Sequence, residues 1–424
     1  MSSAFNPAPA DRVVGHEDSI WMEFTKLAQT HQAVNLGQGF PDSPAPKFIT
    51  DILKDISAKP DLTAAHQYTR GYGHPELTNI LSKMYSHLYN VNVSPMNDVL
   101  ITVGAYHALY YAFLGWINPG DEVIIIEPAF DCYSPQVKFA GGIPVPISMT
   151  VPEDAFSASQ FTIDFKNLEA KISDKTKMLV INNPHNPTGK LFTRQELEKL
   201  AEIAEKHNLI VIADEVYEFH VWKKEDMIRF ASLRGMYNRT ISIGSAGKAF
   251  SITGWKLGWA IGPQNLLAPL KAIHQNCVFT CSSPTQLAIA EAFKIDWPKF
   301  LKKPKESYLA TGLSGELIQK SNKLAHMLAK GGFRPIAPQA GYFMLANYSN
   351  HNHNIDMSQE TDPADFVFAR WLCSEKKLAV IPFSAFYSIQ TEKMKNCNFI
   401  RLCYFKKDAT LTDAKKILKK LGKE

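Results

Sequence analysis

The sequence predicts an α/β fold, a mostly parallel sheet sandwiched by helices, with a smaller α+β domain beside it. Three observations carry that expectation. Short apolar runs alternate with helical patterns from about residue 99 to 275. The runs are continuous, without polar alternation, as strands buried on both faces of a parallel sheet must be. Beyond about residue 285 the texture shifts to long helical patterns and short strands. The chain's 424 residues also exceed one ordinary core, since cores rarely grow past roughly 250–300 residues, so two domains are expected.

Taken in order, Val99–Val103 reads as a strand, and Gly104 turns the chain into a helix from Ala105. Asp121–Ile126 is the next strand, ended by Pro128, and Lys177–Ile181 another, ended by the Asn/Pro/Gly loop Asn182–Gly189. Thr193-Arg194-Gln195-Glu196 is a capping box. Its threonine can bond an orphan amide while Glu196 reaches back, which starts a helix running to about His207. Leu209–Ala213 and Thr240–Gly244 follow as strands. Between Ile243 and Leu257 the chain is too short for a crossover helix, and Gly244, Gly247 and Gly254 interrupt it. Leu257–Ile261 is therefore expected to run antiparallel to its predecessor. A long helical pattern covers roughly 285–330, with a break expected near Trp297-Pro298. Then come a strand at Tyr342–Ala346, a polar surface loop at 347–362, a helix near 363–376, short strands around Leu378–Ile381 and Phe399–Tyr404, and a terminal amphipathic helix. The N-terminal segment is expected to join the smaller domain. That places the large domain at 46–298 and the small one at 1–45 and 299–424.

Composition excludes several function classes. Net charge is +5, and the basic residues are scattered apart from short runs such as Lys302-Lys303 and Lys415-Lys416. Those runs read as solvated faces, so no nucleic-acid partner is expected. No run of about 18 apolar residues exists, so no membrane span is expected. Six cysteines lie scattered with no CxxC, which suits a reducing compartment. Cys277 and Cys281 have helical i, i+4 spacing, but no nearby His or Cys completes a metal site, so both read as core or pocket lining and no metal is expected. The N-terminus lacks a charged start followed by an apolar run, and Asp11, Glu17 and Asp18 interrupt any Arg-rich presequence. The expected location is cytoplasmic, with the mitochondrion as the alternative.

The chemistry concentrates in three segments. Ser245-Ala246-Gly247-Lys248 places a lysine in a small-residue loop after an apolar strand, with Lys256 eight positions on. A lysine amine can form a Schiff base with an aldehyde cofactor, and a second cation can hold that cofactor's phosphate. A nucleotide-binding P-loop does not fit, because it needs glycine at Ser242 and Ser or Thr at Ala249. Asp214 ends a strand, at the sheet edge where open α/β folds bind ligands. A carboxylate there can keep a pyridine nitrogen protonated, making the ring an electron sink. Tyr217 and Asn186 could bond the phenolic oxygen of the same ring. Gly104-Ala105-Tyr106 could cradle a phosphate at a helix N-terminus, with Ser245 adding a hydroxyl. Phe130 could lie on the ring, though the residues alone favour an ordinary core aromatic. Arg401, in a short strand, could grip a substrate carboxylate or serve a structural ion pair. Together these segments suggest pyridoxal 5'-phosphate (PLP).

In order along the chain, these residues resemble the PLP-dependent aminotransferases of the aspartate aminotransferase fold. Within it the sequence is most similar to the kynurenine aminotransferase, glutamine transaminase K and cysteine-S-conjugate β-lyase group. Val34–Asp42, Ile126–Tyr133, Gly244–Lys248 and Gly254–Trp259 carry the likeness, which spans essentially the whole chain. The resemblance implies a seven-stranded large-domain sheet. It implies Lys248 as the lysine that tethers PLP and moves the α-proton, Asp214 on the pyridine nitrogen, and Asn186 and Tyr217 on the phenolic oxygen. Ser245, Lys256 and Gly104, Ala105 and Tyr106 would hold phosphate. Tyr68 would reach the phosphate of a partner subunit, which implies a homodimer. Arg401 would bind the substrate α-carboxylate, with Asn186 and Gly39 close by. Trp21, Tyr106 and Phe130 would line a pocket for large or aromatic side chains, and Phe279 and Thr280 would come from the other subunit. Thr280 stands where a histidine can occur in the group.

The expected activity is transamination of kynurenine to kynurenic acid, and of glutamine, methionine or aromatic amino acids, with a 2-oxo acid acceptor. A cysteine-S-conjugate β-lyase or other lyase on the same fold is the alternative. A non-catalytic PLP-binding regulator is the reading from another class. Only about 45 residues precede the large domain, too few and not basic enough for the DNA-binding module such regulators carry.

Overall fold

After a two-residue strand, β1 (Val34–Asn35), the chain commits its next seven strands to one sheet. They are β2 (Val99–Thr102), β3 (Glu122–Glu127), β4 (Ile143–Ser148), β5 (Thr176–Asn182), β6 (Ile210–Asp214), β7 (Thr240–Ser245) and β8 (Gly258–Ile261). The structure is a computed structural model that describes residues 7–15, 19–354, 356–357, 360–388 and 396–423. The spatial order is β2-β8-β7-β6-β5-β3-β4. Strands β4, β3, β5, β6 and β7 pair in parallel, and β8 lies antiparallel to both its neighbours, as the short connection ahead of Leu257 predicts.

The sheet is buried on both faces because alternate residues point to opposite sides. Ile124, Leu179 and Val211 join one apolar cluster with Leu197 and Leu200 of the helix Arg194–Lys206. Val123, Val180 and Ile212 join the other. The helix Arg194–Lys206 starts at the predicted capping box. Thr193 Oγ1 accepts from the Glu196 amide at 3.2 Å, and Glu196 takes the Thr193 amide at 2.8 Å.

A four-stranded antiparallel sheet follows, built from β9 (Arg334–Ile336), β10 (Phe343–Asn347), β12 (Ile381–Pro382) and β13 (Phe399–Cys403), in the order β12-β13-β10-β9. Between them, β11 (Leu378–Ala379) pairs in parallel with β1. The helix Ile20–Thr30 packs on the helix Ala364–Ser374, where Phe24 meets Phe366 and Arg370 Nε donates to Glu23 at 2.7 Å. The N-terminal segment is thus fastened to the C-terminal part of the chain.

Three expectations need correction. The break near Trp297-Pro298 is absent, and the helix Ser283–Lys302 carries Pro298 in its interior. The interruption comes at 303–307, where the buried Asp296 carboxylate collects the Ser307 hydroxyl and the Tyr308 and Leu309 amides. The helix stops ahead of Pro304, and that acceptor holds the turn that follows. Cys277 is exposed at the end of the helix Gln264–Cys277, while Cys281 is buried beyond it, so the two share no helix face. The stretch 347–362 is not all surface loop. It begins inside β10, and its 3-10 segment Ser349–Asn354 buries His351, while 355, 358 and 359 lie outside the described residues.

Candidate active site

Parallel strands deliver their last residues to one edge of the sheet, and β5, β6 and β7 end there in Asn182, Asp214 and Ser245. A cavity of about 400 Å³ opens above that edge. Asp214 is 2% exposed, and its Oδ2 accepts from the Tyr133 hydroxyl at 2.5 Å. Burial pushes its carboxyl up to about 6, against the pull of the Tyr133 bond. A cationic ring nitrogen brought to it would hold it ionised. Asn182 braces this group, donating to the Asp214 carbonyl at 2.9 Å and accepting the Asn186 amide at 2.7 Å.

Lys248 sits in the helical turn Ala246–Ala249, which Ser245 caps by accepting the Lys248 amide at 3.3 Å. Its Nζ donates to the Tyr342 hydroxyl at 2.5 Å and to the Gly39 carbonyl at 3.2 Å. Burial brings its ammonium down to about 8. The amine is therefore neutral in roughly a tenth of molecules at pH 7, far more than for an exposed lysine, as a nucleophile or base requires.

An anion cradle lies beside it. Gly104 opens the helix Gly104–Trp116 with φ at +74°, the left-handed region that favours glycine. A Cβ built there would stand 3.5 Å from Lys256 Nζ, so the ammonium rests against the helix's first turn. Gly258 lets β8 approach the same turn, since a Cβ on it would lie 2.7 Å from the Gly104 carbonyl carbon. Free amides of a 13-residue helix, an ammonium and the Ser245 hydroxyl together suit a phosphate.

Arg401, from the middle of β13, is 1% exposed. Nη1 donates to Asn186 Oδ1 at 3.0 Å and Nη2 to the Gly37 carbonyl at 2.7 Å, and Nε has no hydrogen-bond partner among the described residues. The Phe343 ring lies 4.0 Å from its guanidinium carbon, and Trp21 lies 5.1 Å away with its indole N–H held by Asp131 at 2.7 Å. Burial lowers the guanidinium to about 10. A cation so stripped of water binds a planar carboxylate well.

The loop carrying Gly39 is fastened at five consecutive carbonyls. Leu36 accepts from the Cys403 amide, Gly37 from Arg401, Gln38 and Phe40 from the buried Lys406 ammonium, and Gly39 from Tyr342 and Lys248.

Of the residues singled out in the sequence, Trp21, Gly39, Gly104, Ala105, Tyr106, Phe130, Asn186, Asp214, Tyr217, Ser245, Lys248, Lys256 and Arg401 all line this one cavity. Tyr68, Phe279 and Thr280 do not. Tyr68 is 83% exposed and meets the Phe279 ring edge-on at 5.4 Å, and Thr280 lines a separate depression with Tyr68. Sequence reasoning missed Asn182, Tyr133, Tyr342 and Phe343. Asn182 was findable as a polar residue ending a buried strand, like Asp214. Tyr342 and Phe343 read as ordinary strand aromatics and carry no local signal.

A buried amine, a carboxylate with no ion pair among the described residues at the same sheet edge, a phosphate-suited helix start and a desolvated guanidinium fit an aldehyde–phosphate cofactor with an amino-acid substrate. Enzymes that move amino groups through a carbonyl cofactor are equipped this way. Residues 31–417 match the profile described as aminotransferase class I and II, and the chain belongs to that family, whose members are PLP enzymes. It is 42% identical over 413 residues to kynurenine–oxoglutarate transaminase 3 of Mus musculus, covering 97% of this chain and 89% of that one. Bna3p of Saccharomyces cerevisiae superposes with a TM-score of 0.89 at 31% identity, covering 99% of this chain and 100% of that one. YbdL of Escherichia coli, a methionine aminotransferase, gives a TM-score of 0.85 at 28% identity, with 98% and 100% covered.

Proposed function

We propose that this chain is a PLP-dependent transaminase whose amino donors include kynurenine, yielding the oxo acid that cyclises to kynurenic acid. Glutamine, methionine and aromatic amino acids are further donors, and a 2-oxo acid is the acceptor. The observation that carries the reading is Lys248 and Asp214 on one wall of a cavity that Arg401 also enters. The transaminase names of relatives at 40–43% identity support the donor class. The aromatic lining by Trp21, Tyr106, Phe130 and Phe343 supports large side chains.

When bound, PLP supplies an electron sink for the charge left at the substrate's Cα. Asp214 would hold the ring nitrogen's proton. Tyr217 and Asn186 would bond the phenolic oxygen, and Ser245, Lys256 and the amides of 104–106 the phosphate. Lys248 would tether the cofactor and, once freed, take the proton from Cα and deliver it to the cofactor's former aldehyde carbon. Arg401, steadied by Asn186 and Gly37, would orient the α-carboxylate so that the Cα proton faces Lys248.

The reading includes a homodimer. Its support is the exposed aromatic pair Tyr68 and Phe279, the latter with φ at +70°, which suits residues completing a partner's site. It also includes the domain division at 46–298 against 1–45 with 299–424, supported by the separation of the two sheets in the chain. A cytoplasmic location is supported by six free cysteines.

The test is the PLP-saturated protein. It should show a visible absorbance band, a borohydride-trapped adduct on Lys248, and turnover in a matrix of amino acids against oxo acids that includes kynurenine. Lys248→Ala should lose the band, adduct and turnover together. A variant that keeps its rate, or continued turnover of kynurenine beyond one equivalent per site without any oxo acid, would overturn the assignment.

A further inference from the structure

Tyr342 belongs to none of the roles above, yet it stands at the junction of three of them. Its hydroxyl donates to the Gly39 carbonyl at 2.6 Å and accepts from Lys248 Nζ at 2.5 Å. The Tyr217 ring meets it edge-on, with centroids 5.2 Å apart. Its ring is 1% exposed and packs against His220 and Phe343, with centroids at 5.4 and 4.7 Å.

A donor committed to a carbonyl fixes the hydroxyl's rotation, so its lone pair faces the amine. Gly39 cannot drift from this arrangement, because its loop is fastened at each carbonyl from Leu36 to Phe40. Two fixed acceptors thus define a place for the untethered lysine head.

We propose that the Tyr342 hydroxyl and the Gly39 carbonyl form the resting place of the Lys248 amine whenever it is not bonded to cofactor, making Tyr342 a positioning residue for proton transfer. The proposal rests on the transaminase reading above. A long, flexible side chain freed in a cavity would otherwise sample many rotamers, and the proton transfer would pay for that freedom at each turnover. Held here, the amine stays on the side of the cavity where Gly39 and Arg401 meet the substrate. Tyr342 supplies orientation, and the proton is moved by Lys248.

The test loads the protein with pyridoxamine phosphate, which leaves the lysine amine free. The pH profile of Lys248 acylation, followed by peptide mass spectrometry, then reports the amine's protonation. The other groups facing it are Asp214, Lys256, Arg401, Cys403, Tyr217 and His220. Tyr342→Phe keeps the ring and removes an acceptor of the ammonium, so the acylation midpoint should move to lower pH. The same variant should lower kcat about tenfold with KM for the amino acid nearly unchanged, the size of one hydrogen bond to a charged group. Replacing Tyr342 by 3-fluorotyrosine keeps a weaker acceptor and should give an intermediate midpoint, and it carries the test should the phenylalanine variant fold poorly. A wild-type midpoint and wild-type kcat in these variants would reduce Tyr342 to packing and overturn the proposal. Failure of the transaminase reading looks different, because the wild-type protein would then form no borohydride-trapped adduct at all.

Discussion

Arg401 and Lys248 share a condition, a cation kept from water, and put it to different uses. For Arg401, desolvation sharpens an electrostatic grip. Arg401→Ala should raise KM for amino acids by roughly a hundredfold, in line with about 2–5 kcal/mol for a buried charge pair, while kcat changes less. Arg401→Lys should not restore binding, because one ammonium cannot serve Asn186, Gly37 and a carboxylate in the fork geometry. For Lys248, desolvation makes a base. With the ammonium lowered to about 8, the neutral amine is lost as pH falls, so kcat should decline on the acid side of that value and level off above it. Steady-state rates across pH 6–10 would show this limb, and a flat profile would count against Lys248 as the base. At this scale the sequence was readable where a residue's position is marked by the chain itself. Asp214 ends an apolar run, Lys248 follows one, and Arg401 interrupts one. Asn182 was equally marked and overlooked. Tyr342 was unreadable, because its function comes from a residue some three hundred positions away, Gly39.

At the level of elements, local rules worked where they could act alone. The capping box at Thr193 needs no tertiary context, and it forms as read. Thr193→Ala should cost about 1 kcal/mol of stability, measured by urea unfolding, with no change in activity. The helix Ser283–Lys302 shows the opposite case: it runs through Pro298 and stops only ahead of Pro304, where Asp296 holds the following turn. Asp296→Ala should be the costlier change, since it strands two amides and a hydroxyl. We expect a loss of roughly 2–4 kcal/mol, with the unfolding midpoint as the readout. Strand β4 was hidden for a related reason. Its sequence, Ile-Pro-Val-Pro-Ile-Ser, lacks two amide donors, which a central strand could not tolerate. It lies at the edge, after β3, where one side of the ladder needs no donors. The count of seven strands came from the family resemblance, and the prolines explain why periodicity alone stopped at six.

On the scale of the whole molecule, buried histidines set a pH limit. His185 and His220 are held near 3 by burial, well below their ordinary value. Below pH 6.5 the unfolded chain takes up protons that the folded chain refuses. The stability these groups contribute is therefore intact above 6.5 and lost progressively as pH falls toward 3. His185→Asn should flatten that loss, visible as a smaller drop in urea midpoint between pH 7 and 4. The α/β plan and the antiparallel β8 were legible because chain length and apolar runs constrain them directly. How the two sheets bring Arg401 to Lys248 was not, since no local pattern encodes the meeting of β13 with β7.

The fastened loop from Leu36 to Phe40 has an evolutionary corollary. Its carbonyls are claimed by donors from Lys248, Tyr342, Arg401, Cys403 and Lys406, so lengthening it by one residue would strand several charged groups at once. Drift toward new substrates is therefore channelled away from this backbone and into the aromatic side chains that face the bound amino acid.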